Sequence, residues 1–123
     1  MADSDGARLW VRIDIDGKGR IGPGKIALLK AVASERSIAA AARALSMSYR
    51  RAWLLIDEMN GLGAGPVVAT TVGGSAHGGA SLTPRGEEIV DLYEAAHAQA
   101  EAATATERAR LATLAGGRSV RGE

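Results

Sequence analysis

Two helical segments lie almost back to back in the middle of this 123-residue chain. Ser37 precedes an alanine-rich stretch that ends at Leu45, and the turn Ser46-Met47-Ser48 separates it from an amphipathic stretch that starts at Tyr49. Serine is favoured at helix N-caps, and alanine is the best helix former. Small side chains also let another helix approach closely. The pattern predicts a helix-turn-helix from Ser37 to about Asn60.

The segments on either side extend this pattern. Leu9–Asp16 alternates apolar and polar residues, which predicts a half-buried strand, and a proline opens a predicted helix over Pro23–Glu35. The β-branched run Pro66–Val72 and the stretch Ala80–Thr83 predict a hairpin around a glycine-rich loop, and a last helix is expected from Pro84 to about Leu114. The order is strand, three helices, hairpin and long helix.

This order predicts a mainly α fold with a small β-hairpin: a winged helix-turn-helix with an added long C-terminal dimerisation helix. We expect a disordered N-terminus over 1–8, the winged domain over 9–83, the dimerisation helix over 84–115 and a disordered tail over 116–123. The long helix exceeds what a small domain covers by itself. A second copy of the chain is therefore expected to pack on it.

Charge is unevenly distributed although the net charge is only +1. The span 36–56 holds four arginines and no acid, whereas the span 84–115 holds six acids and three arginines. A basic middle and an acidic end are typical of a protein that brings one face to a polyanion and keeps the other away from it.

The third predicted helix, about Ser48–Leu62, carries the candidate recognition residues. In a helix-turn-helix the N-terminal part of the second helix meets base edges in the major groove. Arg50 and Arg51 lie there, and arginine binds the O6 and N7 atoms of guanine in a bidentate manner. The alternative is an ordinary amphipathic helix with a solvated arginine pair. Trp53 falls on the apolar stripe of this helix and is expected in the core.

The loop Gly73–Gly79 is interpreted as the tip of a wing. Glycines let the backbone approach DNA phosphates closely. A phosphate cradle of the nucleotide-binding type is rejected, because a strand follows the loop and the loop has no lysine. The alternative is a hairpin with no role in DNA binding. The side chains expected at DNA are Ser37, Ser46, Ser48, Tyr49, Arg50, Arg51, Leu54, Ser75, His77 and Arg85.

Apolar residues recur at helical spacing along the last helix, and Trp10 lies on the polar face of the first strand. Trp10 is expected either at a dimer interface or beneath the last helix. The residues assigned to dimerisation are Trp10, Leu92, Tyr93, Ala96, Ala100 and Leu111.

Several classes of function are excluded by what the chain contains. It has no cysteine and only two histidines, which lie far apart in sequence. Asp14 and Asp16 share one strand face without a third ligand nearby. We therefore expect no metal, no cofactor and no enzymatic activity. The N-terminus does not have the pattern of a signal peptide and no apolar run spans a bilayer, so a cytoplasmic protein without membrane contact is expected.

Three segments carry a resemblance to a known family: Met47–Trp53, Ile56–Asn60 and Gly73–Thr83. Their sequences are MSYRRAW, IDEMN and GGSAHGGASLT. Over about Leu9–Tyr93 the chain resembles the N-terminal DNA-binding domain of the molybdate-responsive ModE regulators. It is more broadly similar to LysR-type helix-turn-helix domains.

The resemblance implies a homodimer that binds a palindromic operator in double-stranded DNA. Full-length members of the family bind molybdate through C-terminal domains, and the resemblance covers only the N-terminal domain. Molybdate binding by this chain is therefore not expected. The pair Arg50-Arg51 departs from a single basic residue in the family, which puts the operator sequence in doubt. Two alternatives stay open: a winged-helix protein-interaction module without DNA binding, and a stand-alone regulator that responds to an oxyanion.

Overall fold

A computed structural model describes residues 6–63, 65–71 and 79–116. The chain divides into two compact units. We call Arg12–Tyr93 the core unit, and we call residues 6–11 together with 94–116 the terminal unit. Nine elements are present in the described residues, five of them helices, so the chain is mainly helical with two small antiparallel sheets. This architecture is consistent with the expected winged helix.

The core unit begins with a short hairpin rather than one long strand. Strand β1 spans Ile13–Ile15 and pairs antiparallel with β2, Gly19–Ile21. Gly17 adopts a φ of 71°, which favours glycine, and the Lys18 N–H donates to the Ile15 carbonyl at 2.8 Å. The strand predicted over Leu9–Asp16 is therefore shorter, and Gly17 lies in the turn to a second strand that begins at Gly19.

Helix α1 spans Pro23–Glu35, as predicted. Proline at its start lacks only an N–H that has no helical partner at that position. Its buried side chains are Ile26, Leu28, Leu29 and Val32. Ala33, although it follows the buried Val32, is exposed.

Helices α2, Ile38–Ala44, and α3, Tyr49–Asn60, confirm the predicted helix-turn-helix. The Oγ atoms of Ser37 and Ser48 cap them, each accepting a backbone N–H three residues ahead at 3.0 Å. Ser46 turns the chain between the helices with a φ of 58°, in the left-handed region. Helix α3 ends two residues before the predicted Leu62, because the chain turns at Gly61 and Leu62.

The second sheet joins β3, Val68–Thr71, to β4, Gly79–Leu82, in an antiparallel register that pairs Val68 with Leu82. This confirms the predicted hairpin. The core of the unit lies among the three helices and this sheet. Its buried apolar side chains include Leu28, Leu29, Val32, Ile38, Ala41, Ala52, Leu55, Ile56, Met59, Val67, Val68 and Ala80.

The single long helix predicted from Pro84 to Leu114 is wrong. The structure has α4, Pro84–Ala103, and α5, Ala105–Leu114, separated at Thr104. In a continuous helix the Glu101 carbonyl would accept the N–H of Ala105. Here it accepts Nη2 of Arg108 at 2.7 Å, while the Thr104 hydroxyl donates to the Ala100 carbonyl at 2.8 Å. The Ala100 carbonyl keeps its helical donor, the Thr104 N–H at 3.1 Å, so of these two carbonyls a side chain takes the place of the helical donor only at that of Glu101.

In the terminal unit the N-terminal segment lies against α4 and α5. Nη1 of Arg108 donates to the Ala7 carbonyl at 3.1 Å, and Nε2 of His97 lies 3.4 Å from the Leu9 carbonyl. Trp10 is 73% exposed, so of the two places expected for it the one beneath the last helix is wrong, and the dimer interface stays a prediction. The carbonyls of Ala7 and Leu9 thus have partners on the two helices, while the Trp10 indole is exposed to solvent.

The expected disordered ends lie largely outside the described residues, as do Ser75 and His77. None of the helices in the described part of the chain is long and apolar enough to span a membrane.

Candidate nucleic-acid interface

The first turns of α3 present an exposed, cationic surface. Ser48 at the N-cap is followed by Tyr49, Arg50 and Arg51, and all four residues are exposed. Leu54, one turn further along, is 52% exposed although it is a large apolar residue. The inner face of the helix is buried through Ala52, Leu55, Ile56 and Met59. The buried face fixes the helix on the core unit and leaves the other face free to contact a ligand.

Both arginines lie where a helix disfavours cations. The N-terminus of a helix carries partial positive charge, so a cation in its first turn costs about 0.3–1 kcal/mol. No acid lies in the first turn of α3. Among the described residues, no ion pair joins Arg50 or Arg51 to a carboxylate. These positions therefore contribute little to the stability of the helix and leave two cationic side chains available to an external anion.

The opposite end of α3 is acidic and forms an ion pair with the core unit. Oε1 of Glu58 lies 3.1 Å from Nζ of Lys25, whose side chain is mostly buried. The same ammonium donates to the Arg20 carbonyl at 2.9 Å. Glu58 is thus neutralised by its own core unit. Charge along α3 therefore runs from cationic at the first turn to carboxylate at the last.

An aromatic pair lines a cavity beside the first turn. The rings of Tyr49 and Trp53 meet edge to face, with centroids 6.4 Å apart and planes at 80°. A cavity of about 220 Å³ opens between this pair, the start of α2 and the adjoining parts of β3 and β4. Trp53 is half-buried rather than fully buried, so the core position predicted for it is only partly correct. Leu55, two residues after Trp53 on α3, is buried.

The remaining candidate residues fall into different places. Ser37 is half-buried and occupied as the cap of α2, and Ser46 is exposed in the turn before α3. Arg85 is not brought to the first turn of α3. A Cβ built on Gly63 would lie 3.7 Å from its Nη2, which places the guanidinium past the far end of α3. That end is about 15 Å along the helix axis from Arg50.

The β3–β4 hairpin is held at its loop end and along one edge. Oγ1 of Thr71 accepts the Gly79 N–H at 3.0 Å, and the Ala80 N–H donates to the Arg36 carbonyl at 3.0 Å. Arg36 ends α1 with a φ of 62°. This left-handed residue turns its carbonyl toward β4, so the hairpin is anchored to α1. The exposed Thr70 and Thr71 lie on β3 beside the cavity.

The sequence analysis did not identify Asn60 and Thr83, whose side chains join the end of α3 and the start of α4 to the segment that precedes β3. The Asn60 side chain accepts the Val67 N–H at 2.9 Å, and the Thr83 hydroxyl donates to the Pro66 carbonyl at 2.7 Å and accepts the Gly86 N–H at 3.0 Å. Asn60 and Thr83 belong to the segments that carry the family resemblance. Their place in those segments was the one sign in the sequence that they matter. Hydrophobic periodicity does not reveal hydrogen bonds from side chains to the backbone.

The residues assigned to dimerisation differ in exposure. Leu92 and Leu111 are 63% and 61% exposed, and Trp10 and Ala96 are also exposed. Ala100 is half-buried, and Tyr93 is buried within its own chain. Burial raises the pKa of the Tyr93 phenol above its ordinary value of 10.0. Tyr93 therefore offers little surface to a second chain.

Within the described residues no group of three or more His, Asp or Glu side chains is placed to hold a metal ion. Asp14, considered for such a site, is exposed, and its carboxylate pairs with the guanidinium of Arg12 at 3.0 Å.

The chain is similar in sequence to several known proteins. It is 36% identical over 105 residues to the molybdenum transport protein ModE of Azotobacter vinelandii, an alignment that covers 85% of this chain and 39% of that protein. The chain is homologous to the N-terminal part of the ModE proteins. No protein-family model matches it.

Two other relatives extend the comparison. The molybdenum-pterin-binding protein MopB of Rhodobacter capsulatus is 47% identical over 79 residues, which is 64% of this chain and 29% of that protein. The DNA-binding transcriptional dual regulator ModE of Escherichia coli (strain K12) is 40% identical over 72 residues, 58% of this chain and 28% of that protein. The chain thus spans about three to four tenths of the length of these relatives.

Proposed function

We propose that this chain is a sequence-specific DNA-binding transcriptional regulator that acts as a homodimer. Helix α3 enters the major groove through its first turns, and the β3–β4 hairpin lies on the DNA backbone. The observation that carries the proposal is the exposed arginine pair at the start of α3, in a helix whose other face is fixed in the core. A helix so held presents its side chains in one orientation, which base readout needs.

The chemistry of the exposed residues suits a duplex. Arg50 and Arg51 supply planar donors for guanine edges or phosphates, and Leu54 supplies an apolar contact for a thymine methyl group. Tyr49 offers a hydroxyl that suits a phosphate. The carboxylate of Glu58, which would repel phosphate, lies at the far end of α3 and is paired with Lys25.

The relative of Escherichia coli whose name includes DNA binding and transcriptional regulation supports the same function for this chain. Two relatives have names that refer to molybdenum, but this chain matches less than half of the length of each. We therefore assign DNA binding to this region and expect added molybdate to leave its DNA affinity unchanged.

A second copy of the chain accounts for exposed apolar surface in the terminal unit. Leu111 and Leu114 on α5 are 61% and 73% exposed, and Trp10 on the N-terminal segment is also exposed. Large apolar side chains that stay in water in one chain are favourable to bury against a partner, by about 1.5–3 kcal/mol for each one fully covered. Two copies also match the two halves of a palindromic operator.

The experiment begins by selecting bound sequences from a random duplex pool with the wild-type protein. Fluorescence anisotropy then compares the wild type with the double variant Arg50→Ala/Arg51→Ala. The double variant should lose specific affinity by at least one hundredfold, because each bidentate arginine contributes about 1–3 kcal/mol of discrimination. Its circular dichroism spectrum and thermal midpoint should stay close to those of the wild type.

The matched control is Arg12→Ala/Arg110→Ala, which removes the same charge from two exposed arginines outside α3. It should bind nearly as the wild type does. Undiminished affinity of the folded Arg50→Ala/Arg51→Ala variant overturns the placement of α3 in the groove. A wild-type protein that retains no duplex at low salt instead favours a protein-interaction module.

A further inference from the structure

Thr83 connects more elements of the core unit through hydrogen bonds than its short side chain suggests. Its hydroxyl donates to the Pro66 carbonyl at 2.7 Å and accepts the Gly86 N–H at 3.0 Å. Its own N–H donates to the Val67 carbonyl at 3.0 Å, and its carbonyl accepts the Glu87 N–H at 2.9 Å. Thr83 thus caps α4 and at the same time holds the segment that leads into β3.

The network continues to the end of α3. Val67 is fully buried, and its N–H donates to Oδ1 of Asn60, the last residue of α3, at 2.9 Å. We call Asn60, Val67, Thr83 and Gly86 the Thr83 junction. It joins the end of the helix that carries the arginine pair to the start of β3, the end of β4 and the start of α4.

Gly86 makes this junction tight. A Cβ placed on Gly86 would lie 2.2 Å from the Val67 carbonyl oxygen, so the first turn of α4 packs directly on the backbone that precedes β3. No intervening side chain can adjust its rotamer to absorb a shift. A displacement of any one of these elements therefore has to displace the others.

The junction and the Arg36 contact together determine the direction of the hairpin. The start of β3 is fixed relative to α3 through Asn60, and β4 is fixed to the end of α1 by the bond from the Ala80 N–H to the Arg36 carbonyl. The Asn60 bond acts at the base of the hairpin, whereas the Ala80 bond acts level with the exposed Thr70, its register partner on β3. Because β4 is held there, a shift at the base tilts the hairpin about the Ala80–Arg36 bond and changes its angle to α3.

From this geometry we propose that Thr83 is a positioning residue for DNA binding: its hydroxyl sets the angle between the β3–β4 hairpin and α3, so that both contact one duplex. The inference rests on the proposed function. Thr83 itself is half-buried behind the hairpin base and contacts backbone groups of its own chain. Its effect on DNA passes through the phosphates that the hairpin reaches.

The test compares Thr83→Val, which keeps the shape and removes the hydroxyl, with Thr83→Ser, which keeps the hydroxyl. Affinity for the selected duplex is measured over a series of salt concentrations, at a temperature at which circular dichroism shows each variant folded. Thr83→Val should bind about tenfold more weakly, and the slope of log K against log salt should fall by about one unit per chain as phosphate contacts are lost. Thr83→Ser should retain both the affinity and the slope.

A purely structural role for Thr83 would change the thermal midpoint and leave the salt slope of the folded protein intact. Residual dipolar couplings of the backbone amides add a measurement without DNA. In Thr83→Val the amides of β3 and β4 should reorient relative to those of α3, and in Thr83→Ser they should not. If Thr83→Val does not fold, Asn60→Ala, which removes the acceptor of the Val67 N–H, should give the same loss of slope.

The outcomes separate this inference from the function on which it rests. A folded Thr83→Val variant with the wild-type affinity and slope overturns the role of Thr83 and leaves the proposed function standing. A wild-type protein that binds no duplex overturns the proposed function, and the role of Thr83 in DNA binding with it. A loss of slope in Thr83→Val that Thr83→Ser does not show supports both.

Discussion

The Oγ atom of Ser48 accepts the backbone N–H of Arg51 at 3.0 Å, so the residue that caps α3 also orders the turn that carries the arginine pair. Stability of the helix and presentation of its cations depend on the same bond. Substitutions at Ser48 can therefore separate the two effects, because a cap can be kept while its charge is changed.

Ser48→Ala should lower the free energy of unfolding by about 1 kcal/mol, since an alanine leaves the Arg51 N–H without its acceptor. Ser48→Asp should keep the stability, because aspartate caps as well as serine and favours the positive end of the helix. It should nevertheless weaken DNA binding, because its carboxylate lies beside the arginines and faces phosphate. Urea denaturation and anisotropy titrations measure the two effects.

The control is Ser34→Ala in α1, where an exposed serine lies inside a helix and alanine is the better helix former. Its stability should equal or exceed that of the wild type. Equal DNA affinity of Ser48→Asp and the wild type would contradict the placement of this turn at the DNA.

Gly86→Ala should destabilise the core unit by about 3 kcal/mol, because the added methyl group would overlap the Val67 carbonyl and neither backbone can move alone. Gly24→Ala is the matched control. Gly24 lies in α1 and a Cβ there meets nothing within 4 Å. That variant should gain about 0.5–1 kcal/mol from the lower entropy of its unfolded chain. Similar midpoints for the two variants in urea would contradict the close packing of α4 on the Val67 backbone.

Local signals made the helix-turn-helix predictable from sequence. Serine caps, a proline at the start of α1 and alanine content act within a few residues, and α1 and α3 begin where these signals place them. The break at Thr104 was not predictable from periodicity. It depends on whether the Glu101 carbonyl accepts the N–H of Ala105 or the guanidinium of Arg108, which lies seven residues away in sequence.

The candidate site was predictable to a similar degree. Arg50 and Arg51 are exposed on the outer face of α3, where the pattern put them. Arg85 follows a proline at the start of a helix, and only the folded chain shows that it lies near Gly63 at the other end of α3. Asn60 and Thr83 bond to backbone atoms seven and seventeen residues away, which no local pattern encodes.

Stability should fall at alkaline pH through Tyr93. Burial raises the pKa of its phenol above 10.0, so the folded state holds the proton more tightly than the unfolded chain does. The stabilisation is fully present below pH 10 and is lost as the pH rises through the raised pKa. In the Tyr49→Phe background, where Tyr93 is the remaining tyrosine, phenolate absorbance should appear above pH 10, together with a fall in the thermal midpoint. Replacing Tyr93 by phenylalanine should remove this part of the pH dependence. A phenolate that forms at pH 10 in the folded protein would contradict the burial of the ring.

Arg108→Ala should loosen the terminal unit at the junction of α4 and α5. Its guanidinium donates to the Glu101 carbonyl, the Thr104 hydroxyl and the Ala7 carbonyl, at 2.7, 3.1 and 3.1 Å. Three differently directed donors on one rigid plane suit arginine and not lysine, so Arg108→Lys should fail to restore the wild type. Amide hydrogen exchange in the first turn of α5 should accelerate, with a loss of about 1–2 kcal/mol in local protection.

Arg110→Ala, at an exposed position on the same helix, should leave exchange unchanged. Unaltered exchange in Arg108→Ala would mean that Thr104 alone interrupts the helix, because its hydroxyl bond to Ala100 remains in that variant.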